Sequence, residues 1–339
     1  MRAAVLESFG KPLSLKEIEQ PEPRPWEVVV EMKTSGVCHS DLHNIAGDWA
    51  FVPELPIVPG HEGVGVVVEA GDAVTNVKVG DRVAVWFYNN TCRTCENCLT
   101  GNENYCEQRV MTGFSVNGTF AERTRIAGDF AIKIPDGLGD IEAAPITDAG
   151  LTAWRAFKVA DIRPGDPIAV FGIGGVGHLI LQLAKLAGAH VIAVDIGEEK
   201  LKMAEELGAD KALDASDASI GSTIRYEMGG VKTALCCAPS LIAYQQAMYS
   251  LKVNGTLVAL GLPAGTLDLS ILNTVFFGIH VVGTLIGNRQ DLTEALALAA
   301  AGKMKALTQT YDFLSVNDAI QDLKQAKVRG RPVLVYGGR

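Results

Sequence analysis

The spacing of hydrophobic and polar positions changes near residue 145 of the chain. Before that point, short valine-rich runs are separated by turns built from Pro, Gly-Asp and Asn, which is typical of β-strands. Pro53, Pro56 and Pro59 indicate a stiff loop that leads to His61. The first 145 residues are therefore predicted to form a compact, barrel-like β domain, with strands that include 28–32, 64–69 and 83–85.

After residue 145, apolar runs alternate with amphipathic helices. This alternation favours an α/β domain with a parallel, doubly wound sheet. Gly208 is a typical C-terminal stop for the helix before it, and Asp291 with Glu294 resembles a capping box that opens a helix. The predicted strands are 168–171, 191–194, 234–236, 256–260, 280–283 and 332–336, and the predicted helices are 198–207, 291–301 and 316–326.

A glycine-rich turn joins the strand at 168–171 to the following helix. Gly172, Gly174 and Gly177 stand at GxGxxG spacing, and apolar residues then recur at helical intervals. In this motif the first glycine permits a tight turn, the second lets a pyrophosphate approach the backbone, and the third lets helix and strand pack closely. The helix N-terminus adds free N–H groups and a positive dipole end for phosphates.

The strand after this helix ends in an acidic residue. Asp195 stands 18 residues after Gly177. A carboxylate at this place accepts hydrogen bonds from the hydroxyls of an adenosine ribose and repels a 2′-phosphate. Strand, glycine turn, helix, strand and acid together predict a dinucleotide site that prefers NAD to NADP.

Composition restricts the classes of protein to which the chain can belong. Its 339 residues exceed one ordinary core, and 48% hydrophobic with 20% charged residues is typical of a globular, soluble protein. The net charge of −9 argues against a phosphate backbone as partner. No apolar run approaches the roughly 20 residues that span a bilayer, and the N-terminal run is too short for a signal peptide. We therefore expect two domains, no nucleic acid or membrane as partner, and a cytoplasmic location.

Four of the seven cysteines cluster in the pattern C-x2-C-x2-C-x7-C. In a long chain without a secretion signal, such a cluster indicates a metal rather than disulfides. Four thiolates around Zn²⁺ leave no open position and make a structural site, whose negative charge Arg93 and Arg109 are near enough in sequence to offset. An iron–sulfur cluster and four unrelated thiols are the alternatives. The predicted ligands are Cys92, Cys95, Cys98 and Cys106.

A second group of metal-binding residue types is spread over two segments. Residues 36–43 read G-V-C-H-S-D-L-H, and G-H-E follows at 60–62. Thiol, imidazole and carboxylate groups in one place suit a metal. A single cysteine, however, is often a small core residue, and a single histidine is often only hydrogen-bonded. The residues alone leave both interpretations open.

These motifs, in this order, resemble those of the zinc-dependent medium-chain alcohol dehydrogenases. The shared segments are G-V-C-H-S-D-L-H, G-H-E-G-V-G, the four-cysteine lobe at about 88–110, V-F-G-I-G-G-V-G and the closing G-R-P-V-L-V. The resemblance covers essentially the whole chain. It implies an α/β protein with a GroES-like, β-rich catalytic domain at 1–145, a Rossmann cofactor domain at 146–287 and a return to the catalytic domain at 288–339. It also implies two zinc ions per chain, NAD, and an alcohol, aldehyde or ketone as substrate.

The resemblance further implies that Cys38, His61 and Asp148 hold a catalytic zinc ion with one position open. Many family members have a cysteine as third ligand. Asp148 stands there instead, as in some members similar to secondary-alcohol dehydrogenases; the alternative is that it only caps the next helix. Asp41 is expected to orient the His61 ring or to cap a helix. Glu62 is expected behind the metal as an occasional ligand, or as a buried ion-pair partner.

Roles around the substrate and the cofactor also follow from the resemblance. Ser40 and His43 are expected to carry the alcohol proton outward. The contacts expected for NAD are His39, Thr152, Gly172, Gly174, Gly175, Val176, Gly177, Asp195, Lys200 and Arg331. The residues expected to line an apolar substrate pocket are Trp49, Trp86, Leu262 and Leu285. Surface hydrogen bonds, solvated helix charges and core packing are the ordinary alternatives for these residues.

An apolar segment at 274–285 bears on the assembly of the protein. It resembles the edge strand through which family members join two cofactor domains, and a bare apolar edge invites association. We therefore expect a homodimer formed through this strand, and from it a homotetramer.

Three other classes of protein compete with an NAD-dependent alcohol dehydrogenase. A zinc-free reductase of the same fold is opposed by Cys38, His61 and Asp148 together. A zinc-ribbon nucleic-acid binder is opposed by the acidic balance of the chain. A protein that keeps the fold without catalysis is distinguished by its failure to reduce NAD when alcohols are added.

Overall fold

The computed structural model describes residues 1–49 and 52–337 and divides them into two compact units. The first unit is Met1–Leu151 together with the chain from Asn288 onward, and the second is Thr152–Gly287. The chain leaves the first unit after Leu151 rather than after residue 145. The reason is that the 3-10 turn Ala144–Thr147 is buried against the central strands of the first unit.

Seventeen strands and eleven α-helices make up the described chain. In order, they are β1 (Arg2–Val5), β2 (Ser14–Glu17), β3 (Glu27–Gly36), α1 (His39–Ala46), β4 (Glu62–Ala70), β5 (Arg82–Val85), β6 (Tyr88–Asn90), α2 (Glu96–Leu99), β7 (Val110–Met111), β8 (Arg123–Ala127), β9 (Ile132–Lys133), α3 (Asp140–Ala143), α4 (Ala149–Val159), β10 (Pro167–Phe171), α5 (Gly177–Leu186), β11 (His190–Asp195), α6 (Glu198–Glu206), β12 (Lys211–Asp214), α7 (Ile220–Tyr226), β13 (Val231–Cys236), α8 (Leu241–Tyr249), β14 (Leu251–Ala259), α9 (Ile271–Phe277), β15 (His280–Gly283), α10 (Arg289–Ala300), β16 (Thr308–Asp312), α11 (Val316–Lys324) and β17 (Arg331–Val335).

The first unit is organised around a seven-stranded sheet. Its order is β16-β17-β3-β4-β5-β9, and β8 pairs with the other part of β3. Neighbouring strands are antiparallel except for β16 and β17. The valine runs of β3 and β4 are buried along most of their length, so these two strands form a rigid base for the segments that follow them.

The second unit contains a six-stranded sheet in which every neighbouring pair is parallel. Its order is β12-β11-β10-β13-β14-β15, so the chain winds outward in both directions from β10. The predicted doubly wound parallel sheet is confirmed. In such sheets ligands bind at the carboxyl ends of the strands where the winding reverses, which is where β10 leads into the glycine turn.

The predicted edge strand at 274–285 is only partly a strand. Residues 271–277 form α9, because the Ser270 hydroxyl caps the helix by accepting from the Asn273 N–H and Gly278 ends it with φ 59°. The strand is confined to His280–Gly283, which lies at the outer edge of the parallel sheet.

The predicted start of α10 is also wrong by a few residues. Asn288 is the N-cap, and its side chain accepts from the Asp291 N–H at 2.7 Å. Asp291 returns the contact by accepting from the Asn288 N–H at 2.9 Å. Asp291 is therefore the third residue of the helix rather than its cap. None of the described helices is long and apolar enough to cross a membrane.

Candidate active site and metal centres

The first potential metal ligand stands where β3 leads into α1. Cys38 directly precedes the helix, and its backbone N–H donates to Asp41 Oδ2 at 2.9 Å. Asp41 Oδ1 accepts from the Gly60 N–H at 3.2 Å and from His61 Nδ1 at 3.1 Å. Asp41 therefore caps α1 and also fixes the His61 ring, with the hydrogen on Nδ1 and the lone pair on Nε2.

Three donor atoms meet in the interior of the first unit. Cys38 Sγ lies 3.6 Å from Asp148 Oδ2, and His61 Nε2 lies 3.7 Å from the same oxygen. All three side chains are buried. When Glu62 is included, one donor atom from each of the four residues lies within 4.8 Å of the others. Asp148 thus points into this group, although it also directly precedes α4.

The electrostatics of this group suit a cation. His61 Nε2 is buried and has no hydrogen-bond partner within the described residues. Burial lowers the pKa of His61, but the charge of Asp41 and the neighbouring Asp148 and Cys38 groups outweigh it and raise that pKa well above its ordinary value. The groups around His61 therefore favour positive charge beside Nε2, the ring nitrogen that has no hydrogen-bond partner among the described residues. Sulfur, nitrogen and oxygen donors of these types are the ones that Zn²⁺ takes in proteins.

Glu62 lies beside this group and is engaged in an ion pair. Its Oε1 pairs with Nη2 of Arg331, and both side chains are buried. Glu62 Oε2 has no hydrogen-bond partner among the described residues; Gly36 leaves it space, because a Cβ at that position would collide with it. Arg331 was expected on the cofactor pyrophosphate. It is 3% exposed and pairs with Glu62, and its Nε has no hydrogen-bond partner among the described residues; its contact with the pyrophosphate stays a prediction.

The four lobe cysteines also come together. Cys92 Sγ lies 3.8 Å from Cys98 Sγ and 3.6 Å from Cys106 Sγ, and all four sulfurs lie within 4.8 Å of one another. Tetrahedral Zn–S bonds of about 2.3 Å place two sulfurs about 3.8 Å apart. The N–H groups of Thr94 and Cys95 point at Cys92 Sγ and lower the pKa of that thiol to about 6. All seven cysteines are free thiols, so the lobe fits a zinc ion without rearrangement.

Two aromatic rings lie against His61. The Phe87 ring meets it edge-on with centroids 5.5 Å apart, and the Phe114 ring lies at 5.6 Å. Trp49 stacks on Phe114 at 5.9 Å and so extends the aromatic wall. The predicted role of Trp86 in this wall is wrong, because Trp86 is fully buried in the core and donates its indole N–H to a backbone carbonyl.

The loop that carries Phe114 is held from α1. Asn44 Nδ2 donates to the Gly113 carbonyl at 2.7 Å, and Gly113, with φ 77°, packs against the backbone of Gly60. Sequence reasoning missed Asn44 and Phe114, because the partners of each lie far along the chain. One short helix therefore positions one potential metal ligand, the carboxylate that orients a second potential ligand, and part of the aromatic wall.

The predicted proton-carrying residues lie on the same helix. His43 Nδ1 lies 2.9 Å from Asp48 Oδ1, and the His43 ring stacks on Trp49 at 5.1 Å. A hydrogen on Nδ1 directed at Asp48 leaves Nε2 as the proton acceptor. Ser40 stands three residues before His43 and shares its face of the helix. His39, the first residue of α1, is exposed.

In the second unit the glycine turn separates β10 from α5. Gly172 has φ 95°, and a Cβ there would meet a backbone nitrogen at 2.7 Å. A Cβ at Gly177 would collide with the carbonyl oxygen of Gly172. At Gly174 a Cβ would meet nothing within 4 Å, so the turn is open at the glycine that lets a pyrophosphate approach. Gly175 and Val176 complete the turn.

A buried histidine supports this turn from the helix side. His178 Nδ1 donates to the Gly174 carbonyl at 2.8 Å, and the side chain is fully buried. Burial lowers the pKa of His178 to about 4, so the ring is neutral at ordinary pH. Sequence reasoning missed His178; the available signal was a histidine among the apolar residues that open the helix.

Asp195 ends β11 beside the same turn. Its Oδ2 accepts from the Ile173 N–H at 2.5 Å. Its Oδ1 accepts from the Ile196 N–H at 2.7 Å and from Lys200 Nζ at 3.1 Å. Since a carboxylate offers about four acceptor positions, one remains for a ribose hydroxyl. The predicted acceptance of both hydroxyls of the adenosine ribose stays a prediction.

Three further predicted residues belong to the second unit. Thr152 is partly buried in α4, and Leu285 is partly buried after β15. Leu262 follows β14 and is 54% exposed. Their expected contacts with the nicotinamide and the substrate stay predictions.

A β-rich unit with two cysteine-containing donor groups, joined to a doubly wound sheet with an open glycine turn, defines the class of zinc-binding, nucleotide-dependent oxidoreductases. Residues 24–136 match the alcohol dehydrogenase GroES-like domain, and residues 175–301 match the zinc-binding dehydrogenase domain. The chain belongs to the zinc-dependent medium-chain alcohol dehydrogenase family.

Relatives and solved structures cover nearly the whole chain. An alcohol dehydrogenase from Geobacillus stearothermophilus is 44% identical over 98% of this chain and 98% of its own length. The alcohol dehydrogenase structure from Aeropyrum pernix superposes with a TM-score of 0.92 at 34% identity, covering 99% of this chain and 100% of that one. An acetophenone reductase from Geotrichum candidum, solved in complex with NAD, gives 0.89 at 31% identity over 98% and 96% of the two chains.

Proposed function

We propose that this chain is an NAD-dependent zinc enzyme that interconverts an apolar primary or secondary alcohol with its aldehyde or ketone. The observation that carries the proposal is the buried group of Cys38 Sγ, His61 Nε2 and Asp148 Oδ2, in which the His61 nitrogen has no partner among the described residues. Three protein donors leave one zinc position for a substrate. The zinc-binding dehydrogenase match and the NAD complex of the similar fungal reductase support the two cofactors.

The residues around the zinc site prepare it before any substrate arrives. When bound, zinc supplies Lewis-acid polarisation of the substrate oxygen, and NAD supplies the hydride acceptor. Asp41 keeps the hydrogen on His61 Nδ1, so Nε2 presents its lone pair. Cys38 as thiolate and Asp148 as carboxylate together carry two negative charges, which balance a divalent ion. Glu62 adds no net charge, because Arg331 neutralises it.

Ser40 and His43 are proposed to move the alcohol proton away from the site. The Ser40 hydroxyl both accepts and donates a hydrogen bond, as a relay requires. Asp48 holds the hydrogen on His43 Nδ1, so His43 Nε2 takes the proton and passes it to solvent. Because the His43 side chain is 27% exposed, it has access to water without being fully solvated.

NAD is proposed to bind at the glycine turn of the second unit. The open space at Gly174 and the tight packing at Gly172 and Gly177 support this placement. Asp195 favours NAD over NADP, since a carboxylate repels a 2′-phosphate, and Lys200 holds that carboxylate in place. His39, Thr152 and Arg331 are further proposed contacts of NAD.

An apolar substrate suits the aromatic wall beside His61. Trp49, Phe87 and Phe114 form this wall in the first unit, and they favour aliphatic or aromatic alcohols over polyols. Leu262 and Leu285 are proposed to contribute apolar surface from the second unit.

The active protein is proposed to be a cytoplasmic homodimer that pairs further into a homotetramer. The support for the dimer is the large exposed apolar side chains of α9 and β15 at the outer edge of the parallel sheet. The support for the cytoplasm is the set of seven free thiols, which persist in a reducing compartment.

The test is an absorbance screen for NADH formation with matched primary, secondary and aromatic alcohols, run on protein whose zinc content has been measured. We expect about two zinc ions per chain, one in each donor group. Activity should be lost when a chelator removes the zinc ion held by Cys38, His61 and Asp148. Cys38→Ser is expected to lower kcat/KM about a thousandfold, because several kcal/mol of polarisation is lost. Cys237→Ser, outside both donor groups, is the matched control.

Two outcomes would replace the proposal. Activity on activated double bonds without zinc would make the chain a zinc-free reductase. Salt-dependent retention on immobilised DNA, with no NADH formed from any alcohol, would make it a nucleic-acid binder.

A further inference from the structure

Arg289, the first residue of α10, contacts the four-cysteine lobe from far along the chain. Its Nη2 donates to Glu103 Oε2 at 2.7 Å, and its Nε donates to Glu103 Oε1 at 2.9 Å. The backbone N–H of Arg289 donates to the same Oε1 at 2.9 Å. Both the backbone and the side chain of Arg289 thus donate hydrogen bonds to the Glu103 carboxylate. The side-chain bonds have the forked geometry of the strongest arginine–carboxylate pairs.

Glu103 stands in the connection between Cys98 and Cys106 and is only 4% exposed. A carboxylate this deeply buried is costly unless a cation and hydrogen bonds satisfy it. Arg289 supplies both. The shape of the connection between these two cysteines therefore depends on a residue that the spacing of the lobe does not reveal.

The same end of α10 contacts one other part of the lobe directly and a second part through Asp129. Asn288 Nδ2 donates to the Gly101 carbonyl at 2.6 Å. Arg289 Nη1 lies 3.0 Å from Asp129 Oδ2, and Asp129 in turn accepts two hydrogen bonds from Arg93, at 2.6 and 2.9 Å. Arg93 lies between the first two lobe cysteines, and Glu103 lies between the last two. Both segments of the lobe are therefore connected to Arg289, which acts as their common anchor.

The anchor itself is held in place by packing and charge. The Arg289 guanidinium lies 4.7 Å from the centre of the Phe130 ring. The hydrogen bonds that Arg289 donates to Glu103, together with the charges of Glu103, Asp129 and Cys98, raise the pKa of Arg289 above its ordinary value. Arg289 therefore keeps its positive charge beside the lobe, where the sequence suggested only Arg93 and Arg109 as compensating charges.

We propose that Arg289 is a positioning residue of the four-cysteine zinc site. By holding Glu103 and Asp129 at once, it keeps the cysteines in the arrangement that retains the ion, and it slows zinc loss. The inference rests on the zinc occupancy of the lobe stated under the proposed function. It adds that the chain returning from the second unit is part of what makes this lobe stable.

The test measures zinc release and lobe thiol exposure in the zinc-loaded enzyme. Wild-type and Arg289→Met proteins are mixed with a chromophoric chelator, and alkylated cysteines are located by mass spectrometry, with the Cys38 peptide as internal reference. We expect Arg289→Met to release the lobe zinc about 10- to 100-fold faster, because removal of residues that orient metal ligands lowers metal affinity by about that factor. The rate of zinc release from Arg289→Lys should lie between those of wild type and Arg289→Met, because lysine keeps the positive charge but cannot make the forked pair of hydrogen bonds.

Three further variants separate positioning from general damage. Arg163→Met removes an exposed arginine from its ion pair and should release zinc at the wild-type rate. Val333→Ala removes buried methyl groups from the same unit without touching the lobe, and serves as the control for lost stability. In Arg289→Met/Glu103→Gln no buried charge is left unpaired, so zinc release should be slower than in Arg289→Met alone.

The possible outcomes distinguish this inference from the function on which it rests. Release from Arg289→Met within about twofold of wild type, or no faster than from a Val333→Ala protein of equal melting temperature, overturns the inference alone. Wild-type protein without zinc on the lobe thiols overturns the inference and the proposed structural metal together. The inference is supported if Arg289→Met releases zinc faster than wild type from the lobe alone, and if the double variant Arg289→Met/Glu103→Gln partly restores the slower rate.

Discussion

At the scale of single residues, one carboxylate determines the chemistry of the first unit. Asp41 accepts from the backbone of Cys38 and Gly60 and from the His61 ring, and it is completely buried. Two of the proposed zinc ligands are thus oriented by one side chain. Its negative charge also makes His61 a better donor to a cation.

Asp41→Asn keeps the size of the side chain and most of the cap but removes the charge. We expect kcat/KM for a simple alcohol to fall about 10- to 100-fold and the retained catalytic zinc to fall with it, because the imidazole is less basic and its tautomer is no longer fixed. Zinc content and steady-state kinetics measure both. Asp318→Asn, which removes an exposed acid from the first turn of α11, is the control. Equal effects in the two variants would mean that Asp41 matters only as a helix cap.

The proposed ligands were predictable from sequence, and several of their neighbours were not. Cys38 and His61 lie in short local motifs shared with the family that the chain resembles, and the resemblance, rather than the residue types alone, implied their role. The pairing of Arg331 with Glu62 joins residues 269 positions apart, and no local pattern encodes such a distance. Trp86 was misplaced for a related reason: adjacent residues face opposite ways, and the sequence does not say which of two neighbouring aromatics faces the core.

At the scale of elements, the glycine turn illustrates what a motif can and cannot specify. The spacing of its glycines predicted a strand, a turn and a helix, and the structure has all three. It did not predict His178, whose side chain folds back on the Gly174 carbonyl. The start of α10 was misjudged in the same way, since Asp291 and Glu294 resembled a cap while Asn288, three residues earlier, forms it.

Two substitutions in the turn should have separable effects. Gly177→Ala places a Cβ on the Gly172 carbonyl, so we expect the second unit to lose about 1–3 kcal/mol of unfolding free energy. Gly174→Ala places a Cβ in open space, so stability should hold while NAD affinity falls about tenfold, or ~1.4 kcal/mol. Thermal unfolding and NADH fluorescence titration measure the two. Unchanged NAD affinity in Gly174→Ala would place the cofactor elsewhere.

His178 predicts how the second unit responds to acid. Its pKa of about 4 in the folded state lies below the unfolded value of 6.5, so the unfolded chain binds the proton more tightly. Stability is therefore lost as pH falls through 6.5 and continues to fall to about 4, which amounts to about 2 kcal/mol between pH 7 and pH 5. His178→Asn does not titrate there. Urea midpoints should drop less with acid in this variant than in wild type; parallel curves would show that His178 is not buried as a neutral ring.

At the scale of the whole molecule, the two units follow from different kinds of sequence pattern. The parallel sheet was predictable because alternating strands and helices allow few other arrangements. The outer edge of this sheet was less predictable. Residues 271–277 are as apolar as a buried strand, but they form a helix between the cap residue Ser270 and the left-handed Gly278. The result is an edge at which a short strand and an exposed apolar helix lie together, with Val275 72% exposed and Phe276 74% exposed.

Such an edge is costly to leave in water, so its burial against a second copy should control the oligomeric state. A two-fold interface uses the same surface of both subunits, so one substitution changes the interface at two places. Each Phe276→Asp carboxylate would then be buried against the apolar surface of the other copy. We expect a penalty of at least about 3 kcal/mol, which weakens the dimer by more than about a hundredfold. Light scattering at micromolar concentration should then find monomers, whereas Val79→Asp, at an exposed apolar residue of the first unit, should assemble like wild type. If Phe276→Asp keeps its oligomeric mass, the interface lies elsewhere; if wild type is itself monomeric, this edge is covered by something other than a second copy.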